Sequence, residues 1–158
     1  QDVYKRQVPT VATGIGHALF SSIWPSNPWS RAYRNETDMT TQRPAGWLSG
    51  SCLLVRWEAF EAIGGFDERY FMYLEDVDLG DRFARAGYQN IFCPEAVISH
   101  AKGHSTQAHA GAMLRAHHDS AYRFQADRHP AWWQAPLRGA LWLGLRVRGL
   151  IASASAGS

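Results

Sequence analysis

Cysteine is scarce in this sequence and long apolar runs are missing. Only Cys52 and Cys93 occur in 158 residues. Two are too few for a disulfide scaffold, and their spacing is no CxxC zinc motif. A reduced, intracellular setting is expected, with a single bridge left open. No stretch approaches the roughly 20 apolar residues of a membrane-crossing helix. The longest in the tail, Gly139 to Leu145, stops at Arg146. There is no initiator Met and no signal-peptide core. The net charge is only +2, which argues against nucleic acid as a partner. GxGxxG, P-loop and HExxH patterns are absent, as are internal repeats.

What is present is ordinary for a globular chain. Hydrophobic residues make up 46% and charged residues 19%, enough for one domain with a sizeable core. Charge is unevenly spread. Residues 121–158 carry Arg123, Arg128, Arg138, Arg146 and Arg148 against Asp127 alone. Trp132, Trp133 and Trp142 lie in the same stretch. Residues 1–7 read as a truncated or non-native leader, neither cap nor strand. Residues 8–128 read as the body, and residues 129–158 as an amphipathic, basic, Trp-rich tail.

Within the body, residues 8–46 are loop-rich, with a short helix expected near Gly16–Ile23, and Asn35–Pro44 polar and exposed. Ser51–Arg56 is a short apolar run that reads as a buried strand. Trp57–Ile63 suits a short helix, stopped by Gly64-Gly65 in left-handed conformation. A second helix is expected over Glu75–Ala86, with Leu79, Phe83 and Ala86 on one face and Gly87 as its stop. Ile91–Cys93 and Val97-Ile98 are strand candidates. A long helix is expected over Thr106–Asp127 and a tail helix over Pro136–Ile151. Together these elements read as an α/β chain.

The densest chemical feature is Glu75-Asp76-Val77-Asp78. Acids in a first helical turn gain about 0.3–1 kcal/mol each from the helix dipole, which accounts for one or two of the three. An ionised Asp at a rigid helix start is also well placed to take a proton from a sugar hydroxyl. His100, in Val97-Ile98-Ser99-His100-Ala101-Lys102-Gly103-His104-Ser105, follows a strand candidate. A neutral imidazole there can complete the shell of a divalent metal, although an isolated loop histidine usually binds nothing. His109, His117 and His118 share helical spacing but form no zinc-hydrolase motif.

The series Gly46-Trp47-Leu48-Ser49-Gly50-Ser51, Gly64-Gly65-Phe66-Asp67-Glu68, Phe71-Met72-Tyr73-Leu74-Glu75-Asp76-Val77-Asp78-Leu79 and Arg85-Ala86-Gly87-Tyr88 resembles the C-terminal half of a family 2 glycosyltransferase. The resemblance runs from about Gly46 to Ser105, and its order and spacing are specific. It implies the GT-A fold, a nucleotide-sugar-binding α/β sandwich. It makes Asp76 the catalytic base and Glu75 the group that orients acceptor or base. Ser49, Gly50 and Ser51 would let backbone approach the donor sugar. Trp47 would stack on a sugar ring or serve as a core or lid aromatic. Asp78, Lys102 and Ser105 would contact substrate, the last two through the diphosphate. His100 would lie at the metal, Mg or Mn.

The remainder, including Ser120–Phe124 and the tail, resembles the L-rhamnosyltransferases that extend N-acetylglucosaminyl-diphospho-polyprenol in actinobacterial cell-wall linker synthesis. That implies a nucleotide-sugar donor, dTDP-rhamnose, and a lipid-linked sugar acceptor. It also implies a cytoplasmic place at the inner face of the plasma membrane, reached through the C-terminal helix. One departure stands out. The family's metal-binding Asp-x-Asp belongs to an N-terminal half, and Asp76-Val77-Asp78 is not that motif. The chain is therefore expected to be a fragment with weak or no transfer activity alone. The alternative is a non-catalytic glycan- or membrane-binding module.

Overall fold

The computed structural model describes residues 40–99 and 110–155, together with 5, 6, 8, 10 and 28. The helix expected at Gly16–Ile23 and the first four residues expected for the long helix lie outside the described residues. The chain divides into two compact units, one within Gln1–Asp67 and Asp76–His100, the other within Glu68–Glu75 and Ala101–Ser158.

The first unit is mixed α/β. Strand β1 (Lys5–Arg6) pairs antiparallel with β3 (Trp47–Leu48), and β2 (Arg43–Ala45) pairs antiparallel with β4 (Asn90–Phe92). Helices α1 (Trp57–Ala62) and α2 (Glu75–Arg85) complete it. The strands differ from expectation. Lys5–Arg6 is strand within the presumed leader, and Arg43–Ala45 is strand where polar loop was expected. Ser51–Arg56 is not a strand. Its last four residues alternate half-buried and exposed, with Leu54 fully exposed. That is the period of two of extended backbone, but no neighbouring strand pairs with it among the described residues. Leu53 and Val55 instead pack on a core of Ala59, Leu79 and Phe83. Val97-Ile98 is likewise unpaired coil.

Both helices end as their glycines predict. Gly64, Gly65 and Gly87 have φ of 78°, 71° and 86°. The Gly65 N–H donates to the Phe60 carbonyl, and the Tyr88 N–H to the Phe83 carbonyl, each at 2.9 Å. Tyr88 then stacks edge-on against Phe83, with centroids 6.1 Å apart. A backbone bond of this kind with an apolar contact beside it is the Schellman stop.

A second glycine has a different task. A Cβ at Gly80 would lie 2.7 Å from Trp47 Cβ, 2.9 Å from Trp47 Cα and 3.0 Å from the Gly46 carbonyl. Helix α2 therefore crosses β3 at backbone contact. Asn90 fastens that crossing, since its side-chain amide donates to both the Gly46 carbonyl (3.1 Å) and the Gly80 carbonyl (2.9 Å).

The second unit is helical. Helix α3 (Ala110–Arg128) packs on α4 (Ala135–Ser155), and a 3-10 turn at Trp132–Gln134 joins them. Phe124 is its most enclosed side chain. Arg138 donates to the carbonyls of His129 (2.7 Å) and Ala131 (2.9 Å) and so fixes the turn. None of the described helices is long and apolar enough to cross a membrane. Cys52 and Cys93 are both free thiols.

Replacing Gly80 with Ala is expected to cost about 1–3 kcal/mol, the usual penalty of overpacking. Gly139→Ala, where an added methyl meets nothing within 4 Å, should be neutral or stabilise by up to about 1 kcal/mol. Urea denaturation midpoints check the contrast, and equal midpoints would show that the crossing yields.

Candidate active site

The Gly80 crossing sets the start of α2 beside the loop that leaves β3. That loop, Ser49–Cys52, is a tight turn: the Cys52 N–H donates to the Ser49 carbonyl at 3.4 Å, and the hydroxyls of Ser49 and Ser51 lie 3.1 Å apart. The turn presents the Gly50 N–H to Asp76, whose Oδ2 accepts it at 2.8 Å. Asp76 Oδ1 accepts the Val77 N–H, also at 2.8 Å. Both oxygens of the half-buried Asp76 are thus held by backbone. Gly50 and Ser51 are exposed, so the turn and the carboxylate share an accessible edge.

Burial pushes the Asp76 carboxyl above its ordinary value, and the bonds from Gly50 and Val77 only partly offset that. The sign suits a base, because a carboxylate with a raised pKa draws a proton more strongly. An added Cβ at Gly50 would sit 3.5 Å from Asp76 Cβ, an ordinary contact. The chain itself does not demand glycine there.

The other expected residues are placed differently. Asp78 is only 9% exposed. Its Oδ2 accepts the Arg82 Nε at 2.7 Å, while Arg82 Nη1 donates to the Ile63 carbonyl at 2.9 Å. Burial raises Asp78 as well, against the pull of Arg82. This pair ties α2 to the end of α1, so Asp78 serves the interior rather than facing a substrate. Trp47 packs its backbone on Gly80 and is half-buried, with its indole N–H enclosed and without a partner among the described residues. That is the arrangement of a core aromatic. Glu75 is half-buried at the first position of α2. His100, Lys102 and Ser105 lie outside the described residues. Among the described residues, no three His, Cys, Asp or Glu side chains gather into a metal site. The Asp76 and Asp78 oxygens already serve backbone and Arg82. The described residues therefore do not by themselves supply the ligands of the metal that the resemblance implies.

The sequence gives no sign of the left-handed backbone just ahead of the acids. Tyr73 and Leu74 have φ of 68° and 63°, a left-handed pair that costs of order 1–3 kcal/mol per residue. The surrounding unit holds it in place. The buried Ser120 donates its hydroxyl to the Met72 carbonyl at 2.8 Å, and the Tyr73 ring meets His117 edge-on at 5.4 Å. No glycine or asparagine marks the spot, so residue type carried no signal. His118, noted only for its spacing, is buried, and burial first and Arg148 second hold its imidazole below the ordinary value.

Comparison with known proteins now bears on this geometry. Residues 29–147 match the family described as Glycosyl transferase family group 2. The chain belongs to this glycosyltransferase family. A relative from Mycobacterium tuberculosis, N-acetylglucosaminyl-diphospho-decaprenol L-rhamnosyltransferase, is 54% identical over 143 residues, 90% of this chain and 47% of the relative. Rhamnosyltransferase WbbL of Escherichia coli is 36% identical over 82 residues, covering 52% of this chain and 31% of its own. The O-antigen biosynthesis protein RfbC of Myxococcus xanthus is 35% identical over 72 residues, 44% of this chain and 6% of the relative. The chain spans about half the length of the mycobacterial relatives. No solved structure matches it.

The raised Asp76 carboxyl has a signed consequence. The folded chain keeps this proton to higher pH than the unfolded chain, so ionisation withdraws stability as pH climbs from about 3.8 through the raised value. Measured against Asp76→Asn, the native chain should be relatively most stable at low pH and lose ground as pH rises. Chemical denaturation between pH 3.5 and about 7 reads this difference. A difference that is flat, or that grows with pH, would contradict the burial of Asp76.

Proposed function

We propose that this chain is the acceptor-side half of an inverting GT-A glycosyltransferase, with Asp76 as its base. In the reaction proposed, the Asp76 carboxylate takes the proton of an acceptor hydroxyl. The oxygen attacks the anomeric carbon of a nucleotide-bound sugar from the opposite face, the nucleotide diphosphate departs, and the anomeric configuration inverts. One observation carries the reading: a half-buried carboxylate of raised basicity, clamped by backbone to an exposed turn of small residues. Glu75, adjacent in sequence, is assigned the orienting role. Ser49, Gly50 and Ser51 are assigned the edge along which the donor sugar lies. A glycan-binding module has no need of a carboxylate raised in basicity there.

The name of the mycobacterial relative supports a finer assignment, in which L-rhamnose passes to a polyprenyl-diphosphate-linked N-acetylglucosamine; dTDP as the carrier of the sugar belongs to the same proposal. Half of such a protein lies beyond this segment, and donor binding is assigned to that half. Mg or Mn belongs to the same proposal, with His100 its candidate ligand.

Helix α4 supports a place at a membrane surface, and the cytoplasmic side belongs to the same proposal. Leu137, Leu141 and Leu145 are half-buried in the helical unit, while Leu143, Val147, Leu150 and Ile151 stand exposed on the opposite side. The apolar surface offered to lipid is thus that of Leu143, Val147, Leu150 and Ile151. Arg146 lies over the Trp142 ring at 5.4 Å, beside the exposed stripe. Arg138 is committed to the turn and is not available to headgroups. Such an interfacial helix gains from buried apolar area and from anionic lipid together.

Two tests follow. In a protein of the relatives' full length carrying this segment, Asp76→Asn should lower transfer by about 10²–10⁴-fold while donor still binds. Transfer within tenfold of the native rate would remove Asp76 as base, with about 10²-fold the least a general base supplies. Leu143→Ser with Leu150→Ser should cut co-sedimentation with anionic vesicles severalfold and leave helicity by circular dichroism unchanged. Unaltered sedimentation would refute the interfacial role.

A further inference from the structure

The helical unit holds a cleft of about 380 Å³ that the proposed transfer step does not use. Arg69, Arg115 and Arg123 line it, together with Phe71, Met113 and Asp119. Arg115 and Arg123 are two helical turns apart on α3, which brings them to one face. Neither has an ion-pair partner among the described residues, whereas Arg69 Nη2 is paired with Asp127 Oδ2 at 2.7 Å. With Arg69 paired, Arg115 and Arg123 against the one lining carboxylate, Asp119, leave the cleft cationic. Phe71, 80% exposed, and Met113 give the same cleft an apolar wall. Planar guanidinium forks match phosphate oxygens in pairs. A cationic cleft with an apolar wall suits an anionic group that carries a hydrocarbon chain.

We infer that this cleft binds the diphosphate of a prenyl-diphosphate-linked molecule, with Arg115 and Arg123 on the phosphates and Phe71 and Met113 along the first carbons of the chain. The inference rests on the acceptor class proposed above and adds where in this chain its phosphates are held. Asp119 opposes the anion and weakens the site, which sets a second sign to check.

Calorimetric titration of the 158-residue chain tests it, with farnesyl diphosphate, inorganic diphosphate and farnesol as probes in one detergent buffer. Farnesyl diphosphate should bind most tightly, inorganic diphosphate more weakly, and farnesol not measurably. Arg115→Ala with Arg123→Ala should weaken farnesyl diphosphate at least about tenfold. Asp119→Asn should tighten it severalfold. Arg115→Lys with Arg123→Lys, which keeps charge but loses the fork, should fall between native and double-alanine chains. Equal affinity for farnesyl and inorganic diphosphate would overturn the lipid-linked assignment, and equal affinity for farnesol would overturn the anion site. Unchanged affinity in the double-alanine chain would remove the cleft altogether. Asp76→Asn in the full-length protein separates this inference from the catalytic reading, because it should lower transfer about 10²–10⁴-fold yet leave farnesyl diphosphate affinity untouched. An inactive Asp76→Asn enzyme beside arginine variants of native affinity would sink the cleft alone. Arginine variants that lose binding beside an active Asp76→Asn enzyme would sink the base alone.

Discussion

The first unit depends on a helix and a strand meeting without side chains between them. Gly80 supplies the gap, and Gly46–Trp47 fills it with backbone. The Asn90 amide lies within bonding distance of both the Gly46 and the Gly80 carbonyl and so ties strand to helix. With α2 pinned there, its first turn cannot drift from the Ser49–Cys52 turn, and the Gly50 N–H reaches Asp76. The crossing thus fixes the position of the one carboxylate that both the sequence motif and the local geometry single out.

The three acids at the start of α2 show how one sequence feature divides into separate physical tasks. Asp78 lies inward and joins Arg82, whose second bond holds the Ile63 carbonyl just past the end of α1. Asp76 keeps an accessible edge and takes its bonds from backbone. Such bonds orient a carboxylate without neutralising it, in contrast to an ion pair. That difference, more than position in the motif, separates a structural acid from one equipped to move a proton. The left-handed Tyr73 and Leu74 just ahead of them store strain that only packing can sustain, a pattern concentrated at working sites.

Much of this was legible in the sequence where the signal is local. Gly64-Gly65 and Gly87 announced both helix ends, and Leu79 and Phe83 announced the buried face of α2. The acidic cluster, in its ordered context, announced the family that the match over residues 29–147 shows. What stayed hidden is set by distant partners. Strands of two or three residues have no period to read, so Arg43–Ala45 and Lys5–Arg6 were taken for loop and leader. Ser51–Arg56 has the alternation of a strand but no neighbour to pair with. Gly80 and Asn90 carry no local signal, because their meaning lies in each other. Helix α4 carries large apolar residues on more than one side, so its sequence does not say which of them face α3 and which remain open.

The account stands or falls on what meets Asp76 when substrate is bound. The most direct measurement is an experimental structure of the full-length protein with a nucleoside diphosphate and a lipid-linked disaccharide-precursor analogue. The account predicts the acceptor hydroxyl within hydrogen-bonding distance, about 2.6–3.2 Å, of an Asp76 carboxylate oxygen, with the Ser49–Ser51 turn along the donor sugar. An acceptor hydroxyl seated against another base, with Asp76 still closed on the Gly50 and Val77 amides and away from the sugar, would contradict it.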